Sequence, residues 1–317
     1  MNSHSLRKLA IIAALLVAGL LIVNLNLTDN GSTGGDLFLP DLKGKINGIA
    51  KITISAAADR PKVSIAKENG NWVVVERQNF PANTAKLRQL LLELADAKTL
   101  EPKTSNAARY SQLGVEGGES PASTTVVISG TDLDIAVILG NDAQTSYRFA
   151  RIDGDTQSWL INVSPEIPEE IGEWLDDDVI DIAASAVRSV TIRHADGEQL
   201  RIFKEAADDA DFQVDGIPEG RELTYPSVAN GIGGLLDGMS LDDVTGTATF
   251  EGEAATNTRF EMFDGSEVVI DTYGIDDQHW VSIAETGSDD IRWLYRLPDY
   301  KTNLLMRRWD DILKEKE

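Results

Sequence analysis

Carboxylates, an imidazole and an aromatic ring crowd together at one place, Asp276-Asp277-Gln278-His279-Trp280. Such a group could hold a divalent metal or supply a general base, since imidazole and carboxylate are ordinary donors for both tasks. The competing reading is a polar turn between two strands, with His279 opening the second, and the sequence favours it. Asp176-Asp177-Asp178, Asp310-Asp311 and Asp153-Gly154-Asp155 carry enough charge to interest a cation. A calcium loop, however, needs ligands at fixed alternate positions closed by a bidentate acid, and none of these stretches supplies them. Gly231-Ile232-Gly233-Gly234 resembles the start of a dinucleotide loop, but Leu236 stands where the third glycine belongs. Those glycines are read instead as permitting close packing of a helix. No nucleophile elbow, phosphate loop or zinc-protease helix occurs. A non-enzymatic protein without cofactor or metal is the expectation.

Composition narrows the remaining classes. The chain has 317 residues, no cysteine and a net charge of −23. Zero cysteines exclude a disulfide framework, a thiolate metal site and a cysteine nucleophile together. The negative field repels phosphate backbones, so nucleic acid is not an expected partner.

Arg7 and Lys8 precede an unbroken apolar run from Leu9 to Val23, continued by Leu25 and Leu27. Basic residues before the run and acids only after it predict an uncleaved single-pass anchor over 9–27. Residues 1–8 are then cytoplasmic and the bulk of the chain extracytoplasmic. No small-x-small cleavage site follows the run. The Gly-, Ser- and Asp-containing stretch 28–36 reads as a tether.

What must position any site is a repeated frame. Ser158-Trp159-Leu160-Ile161, Pro165 and Trp174-Leu175-Asp176 return as Arg292-Trp293-Leu294-Tyr295, Pro298 and Trp309-Asp310-Asp311. Trp159 and Trp293 lie 134 positions apart and Trp174 and Trp309 lie 135 apart. Gly140 and Gly274 share the first offset, which pairs His279 with Thr145. Two copies are therefore expected, 37–183 and 184–317, each an antiparallel sheet with helices, in the α+β class. Ile49–Ile54 and Val187–Ile192 alternate as strands, and Asn69-Gly70 predicts a hairpin. Asn83 is placed to cap a helix whose Leu87, Leu90, Leu91, Leu94 and Ala95 share one face, closed by Glu101-Pro102. Further strands are expected at Thr124–Ser129, Leu133–Leu139, Tyr147–Ile152 and Ser158–Ile161, with a turn at Gly140–Asp142. Helices are expected over Glu166–Leu175 and from Tyr225-Pro226 onward. The four repeated tryptophans read as core. Function should lie where the copies differ, at Tyr110 and Leu113, at Asp276, Asp277, His279 and Trp280, and along the seam of residues 180–187.

Phe80-Pro81-Ala82, the leucine-rich helix, Glu101-Pro102-Lys103-Thr104-Ser105-Asn106, Tyr110 with Leu113-Gly114-Val115, Ser158-Trp159-Leu160 and Trp174-Leu175-Asp176 resemble the domain-of-unknown-function family numbered 4340. The resemblance covers the chain from about Leu37 onward, although Ser240 to Thr256 lacks the Pro-Lys-Thr-Ser-Asn and Leu-Gly-Val features. It implies a bacterial inner-membrane protein with its bulk in the periplasm, commonly encoded beside ABC-type transporter subunits of the gliding-motility type. It implies no catalytic residues and no cofactor. The expected function is an accessory or binding component of such a transport or envelope system. The expected partners are transporter subunits or another envelope protein. A periplasmic metal-dependent hydrolase centred on His279 and a structural envelope spacer stand as alternatives.

Overall fold

The computed structural model describes residues 35–56, 62–118, 120–247, 252–286 and 292–315. The expected anchor, its cytoplasmic flank and most of the tether lie outside them. Among the described residues, no helix is long and apolar enough to cross a membrane.

The chain forms two large sheets with a few helices, and every named strand pair is antiparallel. The first sheet holds β1 (Ile49–Ser55), β2 (Val63–Glu68), β3 (Asn71–Val74), β4 (Phe80–Pro81), β5 (Thr99–Pro102), β6 (Thr124–Gly130), β7 (Leu133–Gln144), β8 (Tyr147–Ile152) and β9 (Ser158–Ile161). Its order is β4-β3-β2-β1-β6-β7-β8-β9-β5. Next, β10 (Asp178–Ile180) leaves the first half and pairs with β14 (Met239–Ser240). The second sheet holds β11 (Val187–His194), β12 (Gln199–Phe203), β13 (Gln213–Asp215), β15 (Asp243–Gly246), β16 (Thr256–Met262), β17 (Glu267–Ile275), β18 (Gln278–Glu285) and β19 (Trp293–Arg296). Its order is β13-β12-β11-β16-β17-β18-β19-β15. Both sheets bulge at the same place. Ile49 faces Gly130 and Lys51 faces Ser129, and likewise Val187 faces Met262 and Ser189 faces Glu261.

The best-specified element is the helix Thr84–Asp96. Asn83 Oδ1 accepts from the Lys86 amide at 3.1 Å, and the five predicted apolar residues are its buried face. Burying each leucine is worth about 1.5–3 kcal/mol. The helix stops at Asp96 rather than at Glu101-Pro102, because Ala97 is extended and Thr99–Pro102 pairs with β9 as an edge strand.

Four other expectations are corrected. Residues 166–175 are not helical apart from a 3₁₀ turn at Gly172–Trp174. Pro168 cannot donate within a helix, and a Cβ on Gly172 would lie 1.9 Å from the Asp242 carbonyl oxygen. The helix after Pro226 shrinks to Asn230–Gly233. Its glycines favour the unfolded chain, and Asn230 is occupied holding Phe212 and Asp211. Gly140–Asp142 is not a turn but part of β7, which runs to Gln144 through register shifts. Glycine is needed there because a Cβ would come within 2.2 Å of the Leu113 oxygen. Finally, the single 134-residue offset does not survive strand pairing. The β7–β8 connection is Thr145-Ser146 whereas the β17–β18 connection is Asp276-Asp277, so His279, second on β18, stands where β8 has Arg148.

Of the four tryptophans, Trp174 is wholly buried. Trp159, Trp293 and Trp309 are half-buried at the margins of the two cores. The first core also takes in Leu241 and Val244. The second is closed by the C-terminal segment. There Lys301 Nζ, buried, donates to the carbonyls of Leu235, Asp237 and Gly238 at 2.9, 2.9 and 3.3 Å. Arg308 reaches Asp196 and Glu198 at 2.8 and 2.5 Å, and Glu198 also accepts from the Trp309 amide at 2.8 Å.

Two glycines of one short helix should respond oppositely to alanine. At Gly233 a Cβ would lie 2.1 Å from a Phe212 ring carbon, whereas at Gly231 the nearest atom is a Leu304 methyl at 3.3 Å. Urea denaturation should find Gly233→Ala destabilised by about 1–3 kcal/mol. Gly231→Ala should be neutral or up to about 1 kcal/mol more stable. A separate test is acid titration of the fold. The Glu198 amide, then the Arg308 guanidinium, hold the Asp196 carboxyl below its ordinary value. A carboxylate so lowered contributes stability above its unfolded pKa and loses it as pH falls through its folded one. Between about pH 5 and pH 2, Asp196→Asn should therefore lose stability less steeply than the parent. Parallel slopes in pH-dependent denaturation would contradict this.

Candidate functional site

The two sheets meet along the β3–β4 connection of the first and the β15 edge of the second. Val75–Arg77 make a 3₁₀ turn, after which Gln78 and Asn79 both take the left-handed conformation, at φ 47° and 64°. Non-glycine residues rarely adopt it, and a consecutive pair needs surroundings that impose it. Here the imposed geometry aims two side chains across the junction. Arg77 Nε and Nη2 donate to the Asp243 carboxylate at 2.6 and 2.8 Å, and Gln78 Oε1 accepts from the Gly246 amide at 2.9 Å. Below them Phe80 meets Trp293 edge-to-face, with centroids 5.2 Å apart, and Tyr295 at 6.3 Å. Burial, with the Glu285 charge second, pushes the Tyr295 phenol above its ordinary value.

Beside this ion pair lies a cleft of about 360 Å³, lined by Arg77, Asp243, Thr245, Asp276, Gln278 and Trp280, with Leu294 among its apolar contacts. The β17–β18 hairpin supplies three of these. Asp276 and Asp277 sit at φ 48° and 62°, the conformation of a two-residue hairpin turn. Gln278 and Trp280, two apart on β18, share one face of the sheet.

The structure thus separates the positions the sequence grouped. Asp276 and Trp280 enter the cleft. Asp277 and His279 are exposed and do not line it. Among the described residues, no three His, Asp or Glu side chains are placed to hold a metal. Tyr110 and Leu113 belong to a separate small cluster with Val115, Ile138 and Phe149. Tyr110 is buried, and its hydroxyl donates to the Thr156 carbonyl at 2.5 Å. The Arg151 guanidinium lies 4.5 Å from its ring centroid and donates to the carbonyls of Val115, Asp155 and Glu116. Those groups hold the frame and offer nothing to a ligand. A cleft of about 510 Å³ near Asn141 is larger, but the one cation in its lining, Arg148, is already committed. Arg148 lies 3.0 Å from Asp142 and donates to the Pro165 carbonyl at 3.1 Å, and Ser164 donates to Asp142.

Sequence reasoning missed Arg77, Asp243, Thr245 and Gln278 as site residues. No local pattern marks the first two, which lie 166 positions apart.

With side chains 24% and 16% exposed, the Arg77–Asp243 pair is neither a surface ion pair nor a fully buried one. A double-mutant cycle with Arg77→Ala and Asp243→Ala should return a coupling of about 1–2 kcal/mol. A coupling near zero would mean that the aromatic contact alone holds the junction.

The family model described as Domain of unknown function (DUF4340) matches residues 72–258, more than half of the chain. The matched segment begins on β3 and ends in β16, so it contains Arg77, Asp243 and Thr245 but not the β17–β18 hairpin. No curated protein and no solved structure matches the chain. The chain belongs to the DUF4340 family, whose matched region runs from the first sheet into the second.

Proposed function

We propose that the chain is an extracytoplasmic binding protein of the bacterial inner membrane, an auxiliary component of an ABC-type transport or envelope system. Residues 9–27 anchor it, and the exported part consists of two tandem copies of one antiparallel-sheet module. The strand orders, which correspond apart from the extra β4 at one end of the first sheet, and the matching bulges opposite Gly130 and Met262 support the duplication. Arg7 and Lys8 before the apolar run support the orientation.

The observation that carries the binding role is the junction cleft. It takes Arg77 from the first half and Asp243, Thr245 and the β17–β18 hairpin from the second. A spacer would need the junction contacts but not an open, polar-lined recess beside them. Pockets of roughly 300–1,000 Å³ at the meeting of two structural units are where small ligands and partner side chains commonly bind.

Full-length tagged protein extracted from membranes in mild detergent should co-purify with transporter subunits, identified by mass spectrometry. The double variant Arg77→Ala/Asp243→Ala, which loosens the junction, should recover less of them. Recovery of no transporter or envelope subunit with the parent protein would refute the auxiliary role.

A further inference from the structure

We propose that the junction cleft binds a neutral saccharide, with Trp280 as the stacking ring; this rests on the reading of the chain as an envelope binding protein. Four polar groups in the cleft have no protein partner among the described residues. They are the Asp276 carboxylate, the Gln278 amide, the Thr245 hydroxyl and the indole N–H of Trp280. The neighbouring charges, in contrast, are fully engaged. Arg77 gives Nε and Nη2 to Asp243 and Nη1 to the Glu76 carbonyl, and Asp243 also accepts from the Val244 amide.

This distribution selects among ligand classes. An anion would need an uncommitted cation, and the lining has none, because Arg77 is neutralised by Asp243. The remaining charge, on Asp276, repels anions further. A purely apolar ligand would cover the unpartnered donors and acceptors without answering them. A pyranose ring fits both constraints. One face is a patch of C–H groups able to lie on an indole, and its rim carries hydroxyls that donate and accept. Planar carboxylate and amide groups satisfy pairs of adjacent hydroxyls, since each presents two polar atoms at fixed spacing. The volume of about 360 Å³ admits one or two sugar rings in an open cleft. Trp280 is half-buried and therefore held in place while still facing the recess.

The test is isothermal titration of the full-length protein in detergent with maltotetraose, cellotetraose and chitotetraose. At least one should bind with one site per chain. Trp280→Ala and Gln278→Ala should each weaken that binding about tenfold or more, while Trp72→Ala, on β3 of the first sheet, should leave it unchanged. Gln278 is exposed, so its variant keeps the test informative if Trp280→Ala does not fold. No binding of any of the three, or binding unaltered in Gln278→Ala, would overturn the proposal. Transporter subunits recovered by a protein that binds no saccharide would sink this inference alone. Saccharide binding without recovered subunits would sink the auxiliary role alone.

Discussion

The guanidinium of Arg77 and the carboxylate of Asp243 join the two sheets across 166 positions of sequence, and the geometry of the cleft depends on that contact. Two parallel N–H···O bonds fix orientation as well as distance, which a single lysine contact would not. Desolvation opposes such a pair and can cancel its Coulombic gain. The structure moderates the penalty by leaving both side chains partly wet, at 24% and 16% exposure. The edge-to-face packing of Phe80 on Trp293 supplies the non-directional attraction alongside it. The ion pair therefore acts chiefly as a register device and the aromatics as the adhesive. The strained Gln78-Asn79 backbone is the local cost of aiming Arg77 at β15.

The same economy of cations recurs through the molecule. Against 52 acids the chain has 29 lysines and arginines, and two of the buried ones sit in cages of backbone carbonyls. Arg151 serves three carbonyls beneath the Tyr110 ring, and Lys301 serves three at the end of the short Asn230 helix. Burial lowers the pKa of Lys301, with the Asp237 charge opposing, yet the three acceptors favour the ammonium form that donates to them. Buried carbonyls left without donors would each be costly. These cations are therefore structural, which fits a surface that offers phosphate or nucleic acid no free basic patch at the cleft.

Legibility in the sequence followed the range of the interaction that decides each element. The helix Thr84–Asp96 was readable because its cap and its leucine face are both local. So was the Asn69-Gly70 hairpin, whose two residues adopt the positive φ that the turn requires. The stretch 166–175 misled because its apolar residues look helical, while its true determinants are Pro168 and a carbonyl of Asp242 brought near Gly172 from the other half. Gly140 misled in the opposite sense. It resembles a turn glycine, but the Leu113 carbonyl is what excludes a side chain there. The Asp276–Trp280 hairpin was found as a stretch of unusual composition, and the separation of Asp276 and Trp280 from Asp277 and His279 follows from strand alternation only once the turn is placed. The Arg77–Asp243 contact has no local signature at all.

On the proposed duplication, the site arises from an asymmetry between otherwise matched copies. In the first sheet, the connection after β3 crosses to the β15 edge of the second. The comparable connection of the second sheet, which leaves β13, crosses to no other sheet edge among the described residues. It runs back to the C-terminal segment instead, where the Lys314 amide donates to the Glu222 carbonyl and the Thr224 amide to the Ile312 carbonyl, each at 2.9 Å. The edge strands differ as well. β5 presents Leu100, Glu101 and Pro102 to solvent, whereas β15 is capped by Arg77 and Gln78. A tandem pair therefore has one interior junction, where unlike edges meet. The recess at that junction is walled by the β15 edge of one half and the crossing connection of the other. The hairpin that closes it is free to diverge, because its turn residues contribute nothing to either core. That is why Trp280 and Gln278 can face a ligand while Trp174 remains committed to packing.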